Sequence, residues 1–410
     1  MTTEDEDAIL DGLMSFIDKT VLPIQKEMQP YFDDIRKYFD ADGKEVHEIG
    51  EARKRVRQAS ARAGYYNLFT PKEIGGEGLG LQFFVRVTEA LYAKYGSSEP
   101  QELLAYDSVA TFFTGPSPIW NHAHPDLKAE ALPKLLAGEW KGSFGMSEPD
   151  AGSDLWNMRT TAVREGDEWV INGGKQWTSW VADADFIFVF AVTDKEKFAA
   201  RKGGISCFYV PTSTPGYQLE STIRLFQDAG GNEGITSYTD VRVPATHLVG
   251  EEGQGLMMGF LTLTTTRLWV SARAMGEARW AFNKCQDYAK VRRTFGKTIA
   301  EHQSVQNLLA DMAVELYAGH SMLMNCAARA DAGLDVRLEG HMVKYFGTNM
   351  GTQIFDKAIQ IHGGMGVTAE TKLIDGWRYA RICRITEGTD QIMQRAISSH
   401  TLREGLPVWA

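Results

Sequence analysis

Phe186-Ile187-Phe188-Val189-Phe190-Ala191-Val192-Thr193 contains the longest apolar run of the chain, and its reading decides the fold. Phe186 to Val192 has the length of a buried strand and falls far short of the roughly 18–20 residues that cross a bilayer. Similar β-branched and aromatic runs surround it, at Glu168 to Asn172, Ile205 to Pro211 and Tyr238 to Val243, cut by Gly, Asp and Pro. Closely spaced strands without helical periods between them favour an antiparallel barrel or sandwich over a Rossmann sheet. Residues 140–255 therefore read as a central antiparallel β domain.

Outward from this block the texture is helical on both sides. In residues 1–139, Leu10, Leu13, Met14, Ile17 and Val21 recur at helix spacing before Pro23 interrupts. Asn67 to Gly78 is a Pro- and Gly-rich loop, a helix resumes by Phe83, and further helices reach Leu136 with breaks at Gly115-Pro116 and at Pro125. In residues 256–410, Leu256, Phe260, Leu263, Arg267 and Val270 share a face, and long helices are expected from Ala274 to Lys290 and from Ser304 to Gly333. The expected class is α+β: an N-terminal all-α domain, a central β domain and a C-terminal helical bundle.

Composition narrows the function. A chain of 410 residues with 43% hydrophobic and 11% aromatic content builds a large core. Its formal net charge of −10 gives no general attraction to nucleic acid or to an anionic membrane. Met1 to Asp7 is acidic, unlike an export or transit sequence, and Cys207, Cys285, Cys326 and Cys383 lack metal-type spacing. A cytoplasmic protein with reduced core thiols and no metal site is expected.

Five stretches carry chemistry. Phe144 to Asp154, with Met146, Ser147, Gly152 and Ser153, is an irregular loop of small and hydroxyl residues. It is either a turn between strands or a place where backbone N–H groups approach an anionic or heteroatom-rich ligand. Ile171 to Ser179 carries a hairpin signal, Asn172-Gly173-Gly174, followed by Trp177, Thr178 and Ser179. The indole is either core or the stacking face of a planar heteroaromatic ring. Arg292-Arg293-Thr294-Phe295-Gly296-Lys297, leading to His302 and Gln303, is a solvated helix end or a pyrophosphate clamp. Gln360 to Gly366 places Gly363 and Gly364 after a helix, as a C-cap or as a ligand loop, and without a βαβ unit it is no dinucleotide fingerprint. Near the end, Ile385-Thr386-Glu387-Gly388-Thr389-Asp390-Gln391-Ile392 sets a lone carboxylate beside a glycine, where a helix entry is the plain alternative.

In this order, these motifs resemble the acyl-CoA dehydrogenase family of flavoenzymes over essentially the whole chain. The resemblance implies an N-terminal helical domain, a central β domain and a C-terminal four-helix bundle, assembled as a homotetramer that holds FAD. It implies that Phe144, Met146, Ser147, Gly152 and Ser153 line the flavin, with Ser153 also near the CoA, and that Trp177, Thr178 and Ser179 stack on and hydrogen-bond the isoalloxazine. Arg292, Thr294, Phe295, His302, Gln303, Gln360, Gly363 and Gly364 match the element that reaches a neighbouring subunit's FAD, and Thr389 and Gln391 match further FAD contacts. By the same resemblance Glu387 is the catalytic base, Arg267 and Gly388 belong to the substrate pocket, and an electron-transfer flavoprotein takes the electrons. Some members carry the base just before the pocket arginine, where this chain has Thr266, which cannot serve as a base. Thr264 stands where an acid is often found, and Thr386 where a tyrosine is frequent, so the expected pocket differs from that of the straight-chain enzymes. An acyl-CoA oxidase and a DNA-associated damage-response flavoprotein of the same fold are the alternatives. The chain's length speaks against the first and its acidic balance against the second.

Overall fold

The structure, a computed structural model, describes residues 2–97, 101–112, 114–226 and 229–407. Where the β-branched and aromatic runs stand, the backbone extends into β1 (Gly142–Gly145), β2 (Thr161–Glu165), β3 (Glu168–Ser179), β4 (Phe186–Val192), β5 (Ile205–Pro211), β6 (Tyr217–Ile223), β7 (Glu233–Pro244) and β8 (Leu248–Val249). They form one 8-stranded sheet in the order β6-β7-β3-β2-β4-β5-β8, with β1 paired to β4. Most pairings are antiparallel as expected, but β1–β4 and β2–β4 are parallel, so the sheet is mixed.

Helices precede and follow the sheet. In chain order they are α1 (Thr3–Phe16), α2 (Leu22–Glu27), α3 (Gln29–Phe32), α4 (Ile35–Tyr38), α5 (His47–Arg62), α6 (Leu81–Tyr95), α7 (Pro125–Leu136), α8 (Lys195–Ala199), α9 (Gly255–Val291), α10 (Gln303–Asp331), α11 (Arg337–His362), α12 (Leu373–Cys383) and α13 (Asp390–Glu404). Between α9 and α10 lies a short hairpin, β9 (Arg293–Thr294) with β10 (Lys297–Thr298). Among the described residues no helix is long and apolar enough to cross a membrane.

The chain divides into two compact units. The first comprises Asp7–Leu79 and Leu104–Leu263 and contains the sheet. Here β4 is buried on both faces, as an uninterrupted apolar run requires. Phe186, Phe188, Phe190 and Val192 face a core shared with Ile119, Trp120 and the Leu127, Ala131 and Leu135 stripe of α7. Ile187, Val189 and Ala191 face a second core with Trp169, Ile171, Phe208, Tyr238 and Val241. Each buried Phe, Ile, Leu or Val side chain here contributes about 1.5–3 kcal/mol by leaving water. Two expected breaks are differently used. Pro125 opens α7 at its first turn, and Pro23 opens α2 after a wide π turn over Ile17–Val21, because a proline has no N–H to give and first-turn positions need none.

The Asn172-Gly173-Gly174 hairpin expectation is overturned, since β3 runs straight through it. The β3–β7 register shifts between Ile171 and Gly173, and Gly173 takes φ +144, with a Cβ there falling 2.6 Å from the Thr160 Cα. The glycine serves a bulge and a close backbone approach rather than a turn.

The second unit comprises Met1–Glu6, Gly80–Leu103 and Thr264–Ala410. Met275, Ala278, Ala281, Cys285 and Ala289 form a helical stripe on α9 that packs on Met312 and Leu316 of α10, Ile354, Phe355 and Ala358 of α11, and Leu373 and Ala380 of α12. The two helical stretches read separately before and after Ala274 are one helix, because no breaker separates them. Although α6 lies in the first helical part of the sequence, its Val85 packs with Leu268 and Ala272 of α9 and Leu323 of α10. A Cβ on Gly276 would stand 2.6 Å from the Glu89 carbonyl oxygen, so α9 and α6 meet backbone to side at a glycine. All four cysteines are buried, in agreement with core thiols.

Candidate active site

The link from α12 to α13 is short and sharply bent. Glu387 has φ +56 and Gly388 φ +96, so two consecutive residues are left-handed. For a glutamate this conformation costs about 1–2 kcal/mol, and it persists only where surroundings hold it. Three donors hold it here. Thr266 Oγ1 donates to Glu387 Oε2 at 3.1 Å, Arg267 Nε donates to the Glu387 carbonyl at 3.4 Å, and Lys344 Nζ donates to the Gly388 carbonyl at 2.6 Å. Downstream, the Thr389 hydroxyl caps α13 by accepting from the Ile392 N–H at 3.3 Å, and Arg384 Nε donates to Asp390 at 2.8 Å. Gln391 stays exposed on the first turn of α13.

Burial pushes the Glu387 carboxyl above the ordinary carboxylate range, against the Thr266 hydrogen bond and the charges of Arg267 and Lys344. Burial also lowers Arg267, and it brings Lys344 down to about 8. A carboxylate that is desolvated, oriented through its own side chain and backbone, and raised in basicity has the properties of a general base. Thr266, which cannot itself be a base, orients the Glu387 carboxylate through that hydrogen bond.

In the sheet-bearing unit, the loop after β1 and the end of β3 lie side by side, since the Gln176 N–H donates to the Ser147 carbonyl at 2.9 Å. A buried ion pair fastens them. Lys175 Nζ meets Glu148 Oε1 at 2.7 Å and the Met146 carbonyl at 3.2 Å, while the Arg159 and Thr160 N–H groups donate to the same carboxylate. Glu148 and Ala151 exchange backbone hydrogen bonds of 2.9 and 3.1 Å, closing a tight turn that leaves Gly152 and Ser153 exposed.

A second β3 bulge falls between Gln176 and Thr178. It turns Trp177 to φ +65 and leaves that large side chain 51% exposed. The bulge thus re-aims an indole outward. Next to it, the Thr178 hydroxyl is buried without a hydrogen-bond partner among the described residues. Ser179 Oγ meets Glu233, and the Phe144 ring packs 4.7 Å from Phe190. An exposed aromatic face beside an unsatisfied buried hydroxyl fits a planar ring with polar edges, so these residues suit a flavin.

In the helical unit, Phe295 and Gly296 take φ +50 and +81 as the two-residue turn of β9–β10, and the Phe295 ring is 96% exposed. Thr294 Oγ1 and His302 Nε2 lie 3.1 Å apart, and Arg292 and Gln303 stay exposed beside them. The Tyr288 ring stacks on His362 at 4.4 Å, which joins the end of α9 to the Gln360–Gly364 stretch. Gly363, at φ +59, is the α11 C-cap, and Gly364 and Gln360 are exposed. The structure thus gathers the predicted residues into three groups: the loop of β1 with β3, the β9–β10 hairpin with the end of α11, and the Glu387 corner.

Two contributors were missed from sequence, Thr266 as a donor and Lys344 altogether. Lys344 left one signal, a lone lysine on an α11 face whose neighbours at one turn, Gly340 and Thr348, are small and buried.

Comparison with known proteins gives a consistent picture. Models of the N-terminal, middle and C-terminal domains of acyl-CoA dehydrogenases match residues 3–139, 143–232 and 251–402. The chain is 31% identical to the caffeyl-CoA reductase-Etf complex subunit CarC of Acetobacterium woodii, over 88% of this chain and 93% of that one. It is 32% identical to the human mitochondrial short-chain specific acyl-CoA dehydrogenase, over 83% and 80%. Among solved structures, butyryl-CoA dehydrogenase from Megasphaera elsdenii superposes with a TM-score of 0.83 at 26% identity, covering 98% of this chain and 99% of that one.

Proposed function

Because the chain belongs to the acyl-CoA dehydrogenase family of flavin-dependent oxidoreductases, we propose that it removes two hydrogens from a saturated acyl-CoA thioester to give the 2-enoyl-CoA, with Glu387 as the base. The observation that carries this reading is the raised, three-point-held carboxylate at the left-handed corner.

When bound, FAD supplies the acceptor for the hydride that leaves the β-carbon. Glu387 takes the α-proton, and the electron pair of that C–H bond becomes part of the new double bond. An α-proton of a thioester is far too weakly acidic for an ordinary carboxylate, so the developing enolate oxygen needs preorganised donors, for which the Glu387 N–H is assigned by family resemblance. Thr266 restrains the carboxylate without neutralising it, and Arg267 and Lys344 fix the two carbonyls that follow it in the chain. Trp177 and Thr178 are assigned to the ring of the flavin, and Met146 and Ser147 to its edge. Arg292, Thr294, Phe295, His302, Gln303, Gln360, Gly363 and Gly364 are assigned to an FAD of a second subunit in a homotetramer. Likeness to a subunit named for an Etf complex supports an electron-transfer flavoprotein as the acceptor.

The test is anaerobic titration of the purified yellow protein with a panel of saturated acyl-CoAs. Loss of the oxidised-flavin absorbance with one class of thioester is the expected result and names the substrate. A flavin that stays oxidised against every member overturns the dehydrogenation.

A further inference from the structure

Lys344 takes no proton in the chemistry above, yet it is 0% exposed in the middle of α11. A buried ammonium is unfavourable unless specific partners compensate it. Lys344 Nζ donates to a backbone oxygen, that of Gly388, at 2.6 Å. That carbonyl follows directly on the Glu387 carbonyl held by Arg267, so two successive peptide groups of the left-handed corner are each fixed by a cation. A Cβ at 388 would stand 2.5 Å from Met393 Cε, so any other residue here would have to displace the end of that side chain.

Charged and titratable groups face Lys344 from each neighbouring element. Asp390 of α13 and Glu387 of the corner favour its charge, Arg267 of α9 opposes it, and the Cys383 thiol of α12 also faces it. Burial pushes the Cys383 thiol up to about 12, so it stays neutral. Asp390 is shared with Arg384, and on α11 itself His341, brought down to about 4, is neutral. The ammonium is therefore the group here whose charge changes in the mildly alkaline range.

We propose that Lys344 is a positioning residue for the dehydrogenation: its ammonium locks the Gly388 peptide, and with it the direction of the Glu387 carboxylate, and loss of its proton loosens the corner. The proposal rests on the reading of Glu387 as the base. A neutral amine still donates a hydrogen bond, but the charge-assisted bond is roughly twice as strong. With Lys344 near 8, the lock weakens as pH rises through that value.

Two measurements on the FAD-loaded protein test this. The first is amide hydrogen exchange of the segment 384–391 between about pH 6.5 and 9.5, corrected for the intrinsic rate. Protection in the wild type should fall above a pH of about 8, and in Lys344→Gln it should be low and independent of pH. The second is the single-turnover rate of flavin reduction. Lys344→Gln should be slower by roughly tenfold or more at neutral pH and lack the alkaline decline of the wild type, with FAD content and KM within about twofold. Lys344→Arg, charged at every pH used, should recover part of the rate and shift the decline upward. Wild-type rate, pH profile and exchange in Lys344→Gln would overturn the proposal. If the Gln variant does not fold, a wild-type exchange profile that stays flat through pH 8 overturns it alone. If Glu387→Gln still reduces the flavin, the proposed base is wrong, while the exchange data still decide whether Lys344 holds the corner.

Discussion

Glu387 sits in a place that resists its charge. Because burial raises its folded pKa above the unfolded value, its favourable contribution to stability is complete below the unfolded pKa and is lost as pH rises through the folded one. Ionising this carboxyl therefore costs stability, a cost that the proposed role as a base would explain. Glu387→Gln should therefore behave unlike an ordinary buried substitution. It keeps the shape and an acceptor for Thr266, so thermal unfolding at pH 7 should be unchanged or shifted upward, with normal FAD content. Flavin reduction should fall by several orders of magnitude. Calorimetry and stopped-flow on one preparation check both, and near-normal turnover would remove Glu387 from the mechanism. In the wild type, the rate should drop on acidification at a pH above the ordinary carboxylate range, because the proposed base is then protonated.

At the scale of elements, the helices around the corner are joined by a second buried arginine. Arg273 of α9 meets Glu277 at 3.0 Å and Glu102 at 2.6 Å, and it lies 3.3 Å from the ring centroid of Tyr379 on α12. Arg273→Met leaves two carboxylates facing a low-dielectric interior and should cost about 3–5 kcal/mol, read as a lower midpoint in denaturant unfolding. In the sheet, Phe190→Ala should cost about 3–5 kcal/mol because β4 is enclosed on both sides, whereas Val163→Ala, on an exposed position of β2, should stay within about 0.5 kcal/mol. These elements differ in how plainly the sequence announced them. An unbroken apolar run such as Phe186 to Val192 has few ways to be buried, so β4 was legible. Asn172-Gly173-Gly174 misled because turn preference is local, while the approach that requires Gly173 comes from Thr160, the residue just before β2. The carboxylate and the Trp177-Thr178 pair were legible as motifs. Their supports were not, since Thr266 stands 121 residues from Glu387 and Lys344 stands 44 from Gly388, and no local pattern encodes such pairings.

For the whole molecule, the order helical, β, helical was readable from composition and periodicity alone. Assembly is tested at the Phe295 turn. A phenyl ring 96% exposed contributes little to the fold of its own chain, so Phe295→Ser should leave the unfolding of the subunit nearly unaltered. If the hairpin reaches a second subunit's FAD, the same variant should sediment as a smaller species or lose FAD on dilution. A tetramer that keeps its FAD would rule the hairpin out as that contact. The left-handed backbone at Glu387 also has a consequence for how variation at this position would be scored in a saturation screen. Asp and Asn tolerate that backbone region and would yield abundant, silent protein, whereas Val and Ile resist it and would lower abundance as well. An assay of growth alone would rank all four as equivalent losses; only a paired measure of protein level would separate missing chemistry from missing fold.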